Sequence, residues 1–209
     1  MKIYDITAPI SNDLPVYGEK RPKITKLAQI DNGDVCNVTW LSASSHTGTH
    51  ADMPLHFISG GATCSDIALD YFYGPAKVMR IAVSSHIRKA DLEPLDIQAG
   101  DIILLDTGQS AHMRHGVLKQ DFIALTPEAA EYLAKKKIKT IGIDYLSIDP
   151  YGSPDFPAHK ILLGNGIGIL EGLVLEGVSE GMYTLSALPL KIPNGDGSPV
   201  RAILVDDIR

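Results

Sequence analysis

The chain has 209 residues, a formal net charge of −6, 44% hydrophobic and 21% charged residues. That composition is ordinary for a globular protein and excludes disordered, collagen-like and coiled-coil chains. At this length one domain with a self-sufficient core is expected, and an acidic chain without a basic block argues against nucleic acid or an anionic membrane as a partner.

In chain order, residues 2–6 read as a first strand, followed by turn signals from Pro15 to Gly18. Residues 23–30 and 35–45 read as two strands around Asn32-Gly33, a hairpin signal. The single tryptophan, Trp40, lies in the second of these and is expected in the core. Residues 77–83, 101–105 and 139–144 have the apolar character of short buried strands, and 183–187 and 201–205 add two more. Thr126-Pro127-Glu128 offers a capping hydroxyl, a proline at the first helical position and a carboxylate in the first turn. A helix over 129–137 follows, ending in three lysines, and a shorter one over 158–163 is closed by Gly164-Asn165-Gly166. The expected fold is α/β: a single domain, residues 1–209, with a mixed, barrel-like central β-sheet flanked by helices.

No 18-residue apolar run occurs, and Asp5 and Pro9 interrupt any apolar segment near the N-terminus, so neither a membrane span nor a secretory leader is expected. Cys36 and Cys64 lack metal-ligand spacing and read as reduced thiols of a cytoplasmic protein.

The chemistry concentrates in His46-Thr47-Gly48-Thr49-His50-Ala51-Asp52-Met53-Pro54-Leu55-His56. Seven histidines in 209 residues leave less than one to an average window of eleven; this window holds three, with an aspartate. Imidazole and carboxylate are the donors of nitrogen/oxygen metal sites. All four occupy even positions, so on an extended chain they project toward one face. Extended, however, His46 and His56 would stand roughly 33 Å apart, so the chain must turn, and Gly48 and Pro54 allow it. His50 and Asp52 can share a metal even on extended backbone, and His46 joins them if the chain bends near Gly48.

The pattern His46-x-Gly48-Thr49-His50-x-Asp52-x-Pro54-x-His56 resembles the signature of the cyclase-like metal-dependent hydrolase family, whose members include kynurenine formamidases and isatin hydrolases. Asp5-Ile6 with Pro15-Val16-Tyr17 is similar to that family's opening strand and substrate loop. The segment from Asp144 to Pro150, then Ala158-His159 and Ile169-Leu170-Glu171, resembles its C-terminal site segments.

The resemblance implies a binuclear Zn²⁺ site, with Mn²⁺ the alternative, in a chain that assembles as a homodimer or homotetramer. It assigns His46, His50 and Asp52 to the first metal, with Asp52 bridging, His159 to the second, and Glu171 to both. His56 becomes the proton donor and acceptor. It also implies a small-molecule substrate, with hydrolysis of N-formylkynurenine to kynurenine and formate as the leading activity, a step of tryptophan catabolism. Lactam opening of the isatin kind is the alternative. Tyr17 stands where the formamidase branch carries a tryptophan against its aromatic substrate, which widens the reading to other amides, lactams or esters.

A non-catalytic metal-binding protein is the competing class. Structural zinc sites are closed and often thiolate-rich, whereas this set is thiol-free and keeps an extra base at His56. His112 and His115 read as a solvated loop, and Phe57 as pocket wall or core.

Overall fold

The computed structural model describes residues 1–18, 20–114 and 118–206. Eleven strands form among them: β1 (Lys2–Asp5), β2 (Lys23–Ala28), β3 (Val38–Ser42), β4 (His50–Asp52), β5 (Tyr73–Arg80), β6 (Ile102–Asp106), β7 (Thr140–Ile143), β8 (Gly168–Glu171), β9 (Gly181–Ser186), β10 (Gly197–Pro199) and β11 (Ile203–Asp206). The α-helices are α1 (Lys89–Leu92), α2 (Pro127–Lys136) and α3 (Pro157–Gly164).

Nine strands make one mixed sheet in the order β1-β11-β9-β5-β6-β7-β8-β4-β10, curled into a half-barrel. Strands β5 to β8 run parallel, and both wings are antiparallel. The sequence explains the parallel block: β6 reads Ile-Ile-Leu-Leu-Asp and is buried throughout, as a strand covered on both faces must be. Alternation then sorts its residues. Ile103 and Leu105 join Ile141, Ile143 and Ile169 against α2 and α3, while Ile102 and Leu104 join Leu170, Leu185 and Leu204 in the opposite core.

Helix α2 begins as its residues predict, with Thr126 Oγ1 accepting from Ala129 N at 3.3 Å and Pro127 in the first turn. It ends at Lys137, which takes the left-handed conformation at φ 57°. Helix α3 has no capping side chain at its own N-cap, Phe156. The carboxylate of Asp149 does that work instead, accepting from the backbone N–H groups of Ala158 and His159 at 2.9 Å each.

Two expectations change. Three strands, β4, β8 and β10, lie outside the expected set, and β4 and β8 carry three of the site's donors, His50, Asp52 and Glu171. Trp40 is not in the core. It is 61% exposed, because β2 and β3 form a separate two-stranded ribbon outside the main sheet, and every residue of β3 is exposed. An apolar strand residue predicts burial only when its strand joins a covered sheet.

Candidate metal centre

Strand β4 is three residues long, His-Ala-Asp, and all three are buried. Period-two geometry sends Ala51 into the apolar core and places His50 and Asp52 together on the other face. Across the antiparallel ladder His50 lies directly opposite Glu171 of β8. Directly opposed residues share a face, so three donors meet without any loop being asked to aim them. His50 Nε2 stands 3.3 Å from Asp52 Oδ1 and 3.4 Å from Glu171 Oε2.

The chain reaches β4 through Gly48 at φ 65° and leaves β8 through Gly172 at φ 67°. These turns touch: a Cβ on Gly172 would collide with the carbonyl oxygen of Gly48, so glycine is required there for space as well as for φ. The bend expected near Gly48 returns His46 to the cluster, its Nδ1 2.8 Å from Asp52 Oδ1. Helix α3 supplies His159, whose Nε2 is 3.1 Å from Glu171 Oε1 and 3.4 Å from Asp52 Oδ2. All five residues named as ligands thus converge.

Each of these imidazoles is oriented from behind. His50 Nδ1 donates to Gly48 O at 2.9 Å, and His159 Nδ1 donates to Asp149 Oδ2 at 2.7 Å, leaving Nε2 of both turned to the carboxylates. Asp149 therefore caps α3 and holds its histidine with one side chain. His56, from a 3-10 turn at Pro54–His56, stacks on His46 with ring centroids 3.9 Å apart and planes 25° apart.

Electrostatics separate His56 from its neighbours. Burial works against charge on every histidine here, but the hydrogen bonds and charges of Asp52 and Glu171 overcome it at His50, which is pushed up to about 10. His46 and His159 are raised against the same burial, mainly by Asp52 at His46, and by Glu171, Asp149 and Asp52 at His159. His56 is the exception: burial holds it below the ordinary 6.5, so it is neutral at pH 7. Burial would raise Asp52 and Glu171, and the Asp52 charge raises Glu171 further, yet the surrounding imidazoles lower both, Asp52 well below its ordinary value.

The donors fit a divalent cation. Asp52 Oδ2 is one of two buried side-chain nitrogen or oxygen atoms among the described residues left without a hydrogen-bond partner. An orphaned carboxylate oxygen is costly unless a cation satisfies it. Two groups of three donors have ligand atoms within 4.8 Å of one another: His50, Asp52 and Glu171, and His46, Asp52 and His56. Asp52 belongs to both, His56 joins the second, and His159 is in neither.

One cavity opens onto these residues. Its apolar wall is aromatic: Tyr17, Phe57 and Phe156, with ring centroids 6.1 Å apart for Tyr17–Phe156 and 5.4 Å for Phe57–Phe156. The Tyr17 hydroxyl accepts from Gly152 N at 2.9 Å, a bond that fixes this wall and that a tryptophan could not make in the same way. Phe57 lines this cavity and also packs against the core beneath it.

Sequence reasoning passed over Asp149 and Asp196, which hold histidines from behind. A carboxylate in the Asn-Gly-Asp-Gly run at 194–197 reads only as a turn. His112 lies in a 3-10 segment beside Tyr145, away from the cluster, and His115 lies outside the described residues. The string Gly177-Val178-Ser179-Glu180-Gly181 has the G-x-S-x-G spelling of a serine nucleophile. It forms a turn entering β9 with Ser179 exposed, not a strand-to-helix elbow.

A half-barrel sheet whose edge holds buried imidazoles and carboxylates beneath an open aromatic cavity defines a metal-dependent hydrolase class. The Cyclase family model matches residues 4–150, and the chain belongs to that family. It is 39% identical over 202 residues to the kynurenine formamidase of Geobacillus thermodenitrificans (strain NG80-2), covering 96% of this chain and 95% of that one. A solved structure named as a potential metal-dependent hydrolase with cyclase activity superposes with a TM-score of 0.88 at 39% identity, covering 100% of this chain and 99% of the other. Isatin hydrolase A from Labrenzia aggregata superposes with a TM-score of 0.86 at 28% identity, covering 99% and 94%. Among the described residues no helix is long and apolar enough to cross a membrane.

Proposed function

We propose that this chain hydrolyses the C–N bond of a small aromatic amide, with N-formylkynurenine, cleaved to kynurenine and formate, as its substrate in tryptophan catabolism. The observation that carries the reading is the shared carboxylate. Asp52 lies within 3.4 Å of three imidazoles, keeps one buried oxygen without a hydrogen bond, and sits beside an open cavity with aromatic walls. In this reading His46, His50 and Asp52 would hold one Zn²⁺ and His159 a second, with Asp52 and Glu171 serving both; Mn²⁺ is the alternative ion. When bound, such a pair polarises a carbonyl oxygen and lowers the pKa of water.

The protein side follows from its own residues. Tyr17, Phe57 and Phe156 receive the aromatic ring and exclude water from it. His56, neutral at pH 7, accepts a proton from the attacking water and delivers it to the departing nitrogen. Water is added across the C–N bond, one proton passes through His56, and acid and amine leave. Formate release from N-formylkynurenine tests this, with isatin as the cyclic comparison. Hydrolysis of the acyclic formamide supports the proposal; turnover of isatin alone would move the substrate to lactams.

We also propose a homodimer in the cytoplasm. The β2–β3 ribbon exposes Leu27, Val38, Trp40 and Leu41. A two-stranded ribbon is marginal alone, and Val38 and Trp40, exposed on one face of it, suit a contact surface. The free thiols of Cys36 and Cys64 suit a reducing compartment. Light scattering should give twice the chain mass, and Trp40→Glu should halve it; a monomeric parent protein would reject the assembly.

A further inference from the structure

Asp196 lies in the loop that leads into β10, and its backbone is fixed from the motif side: Met53 N donates to Asp196 O at 3.0 Å. The neighbouring Gly195 O accepts from Cys64 N at 3.0 Å. Its side chain is held as well. Ser45 Oγ donates to Oδ1 at 2.9 Å, which sets the rotation of the carboxylate and leaves Oδ2 for the imidazoles. That oxygen is 3.0 Å from His46 Nε2, a hydrogen bond. It is 3.6 Å from His56 Nδ1, beyond hydrogen-bond length but within electrostatic reach of the second ring.

A neutral imidazole carries one N–H, and a carboxylate beside one nitrogen draws the proton there. His46 has a carboxylate at each nitrogen, Asp52 Oδ1 at 2.8 Å from Nδ1 and Asp196 Oδ2 at 3.0 Å from Nε2; a cation shared with Asp52 would take the Nδ1 lone pair and leave the proton to Nε2 and Asp196. For His56, a proton on Nδ1 leaves Nε2 as the basic nitrogen. His50 and His159 each have an acceptor of their own, Gly48 O and Asp149; His46 and His56, stacked on one another, have Asp196 in common.

We propose that Asp196 is a positioning residue that fixes the tautomers of His46 and His56 together, holding one ring for metal ligation and the other for proton transfer. The inference rests on the reading of His46 as a ligand and His56 as the base. It makes Ser45 part of the same device, through the rotation of the carboxylate.

The test compares the full-length chain with Asp196→Asn and Ser45→Ala by three readouts. These are ring ¹⁵N shifts of His46 and His56 in Zn²⁺-loaded protein, Zn²⁺ affinity by chelator competition, and kcat separated from KM. Outer-shell partners of metal-bound histidines typically contribute about 10–100-fold in affinity or activity. Asp196→Asn is expected to shift the tautomer signals of both rings, to weaken Zn²⁺ binding by about that factor, and to lower kcat with KM little changed. Ser45→Ala, which leaves the carboxylate but frees its rotation, should move all three in the same direction by less, and it keeps the test valid if Asp196→Asn folds poorly. Unchanged ring signals and affinity in Asp196→Asn would overturn the proposal. So would a lower metal-to-chain ratio at saturating Zn²⁺, which would make Asp196 a ligand. A parent chain that binds no Zn²⁺ would instead remove the reading on which the inference rests.

Discussion

Replacing His56 with Asn is expected to lower kcat by about 10²–10⁴, the usual contribution of a positioned acid or base, while metal content stays unchanged. The physical ground is the contrast within the cluster. His46, His50 and His159 each have a buried carboxylate oxygen close by, at 2.8, 3.3 and 3.1 Å, whereas the carboxylate beside His56 is 3.6 Å away, leaving that ring free to take up a proton. His56 is half-buried, lines the cavity and stacks on His46. Its nitrogen also lies within 4.8 Å of donor atoms on His46 and Asp52, so ligation is geometrically open to it. Metal analysis of the variant separates the roles. Loss of turnover with metal retained supports the base; loss of metal would make His56 a ligand and leave the proton transfer to another group.

Asp52→Asn should have the larger effect, removing both metal binding and turnover. The substitution preserves shape but removes the charge that three imidazoles share, at 2.8, 3.3 and 3.4 Å. It also replaces the orphaned Oδ2, the atom best placed to bridge, or turns it into an amide nitrogen that repels a cation. Metal-assisted polarisation supplies several kcal/mol to such reactions, so a loss on the order of 10³-fold or more is expected. Metal analysis and a turnover assay on the purified variant check it; an Asp52→Asn protein with full metal and more than a few per cent of parental kcat would contradict the bridging role.

What the sequence made legible depended on whether a signal was local. Helix α2 announces itself through Thr126, Pro127 and its terminal lysines, all within one segment, and it forms where expected. The central strands are equally plain, because a parallel strand buried on both faces is a short apolar run, as in β6 and β7. Strands β4 and β10 carry no such signal, with three residues each and two of the three in β4 buried polar donors, and β8 has only Ile169 and Leu170 between a glycine and Glu171. Hydrophobic patterning registers a ligand-bearing strand as loop.

The same division holds for the site. His46, His50, Asp52 and His56 fall in one window, and the even spacing of His50 and Asp52 gave their shared face correctly. His159 and Glu171 lie more than a hundred residues away, and only the β4–β8 register and the Asp149-capped start of α3 bring them in. Residues alone offered no route to that pairing, so resemblance had to supply it. Asp196 had neither a cluster nor a family pattern to mark it. Trp40 was misjudged for a related reason: its strand pattern is sound, but which sheet the strand joins is a tertiary fact.

The central claim is that the cluster around Asp52 holds metal for hydrolysis. The most direct measurement is the metal-to-chain ratio of protein purified without added metal, together with N-formylkynurenine turnover before chelation, after it, and after return of Zn²⁺. About two ions per chain are expected, as a shared pair requires, with turnover lost on chelation and recovered with Zn²⁺. Turnover that survives complete metal removal, or a chain that holds no metal at all, would contradict it.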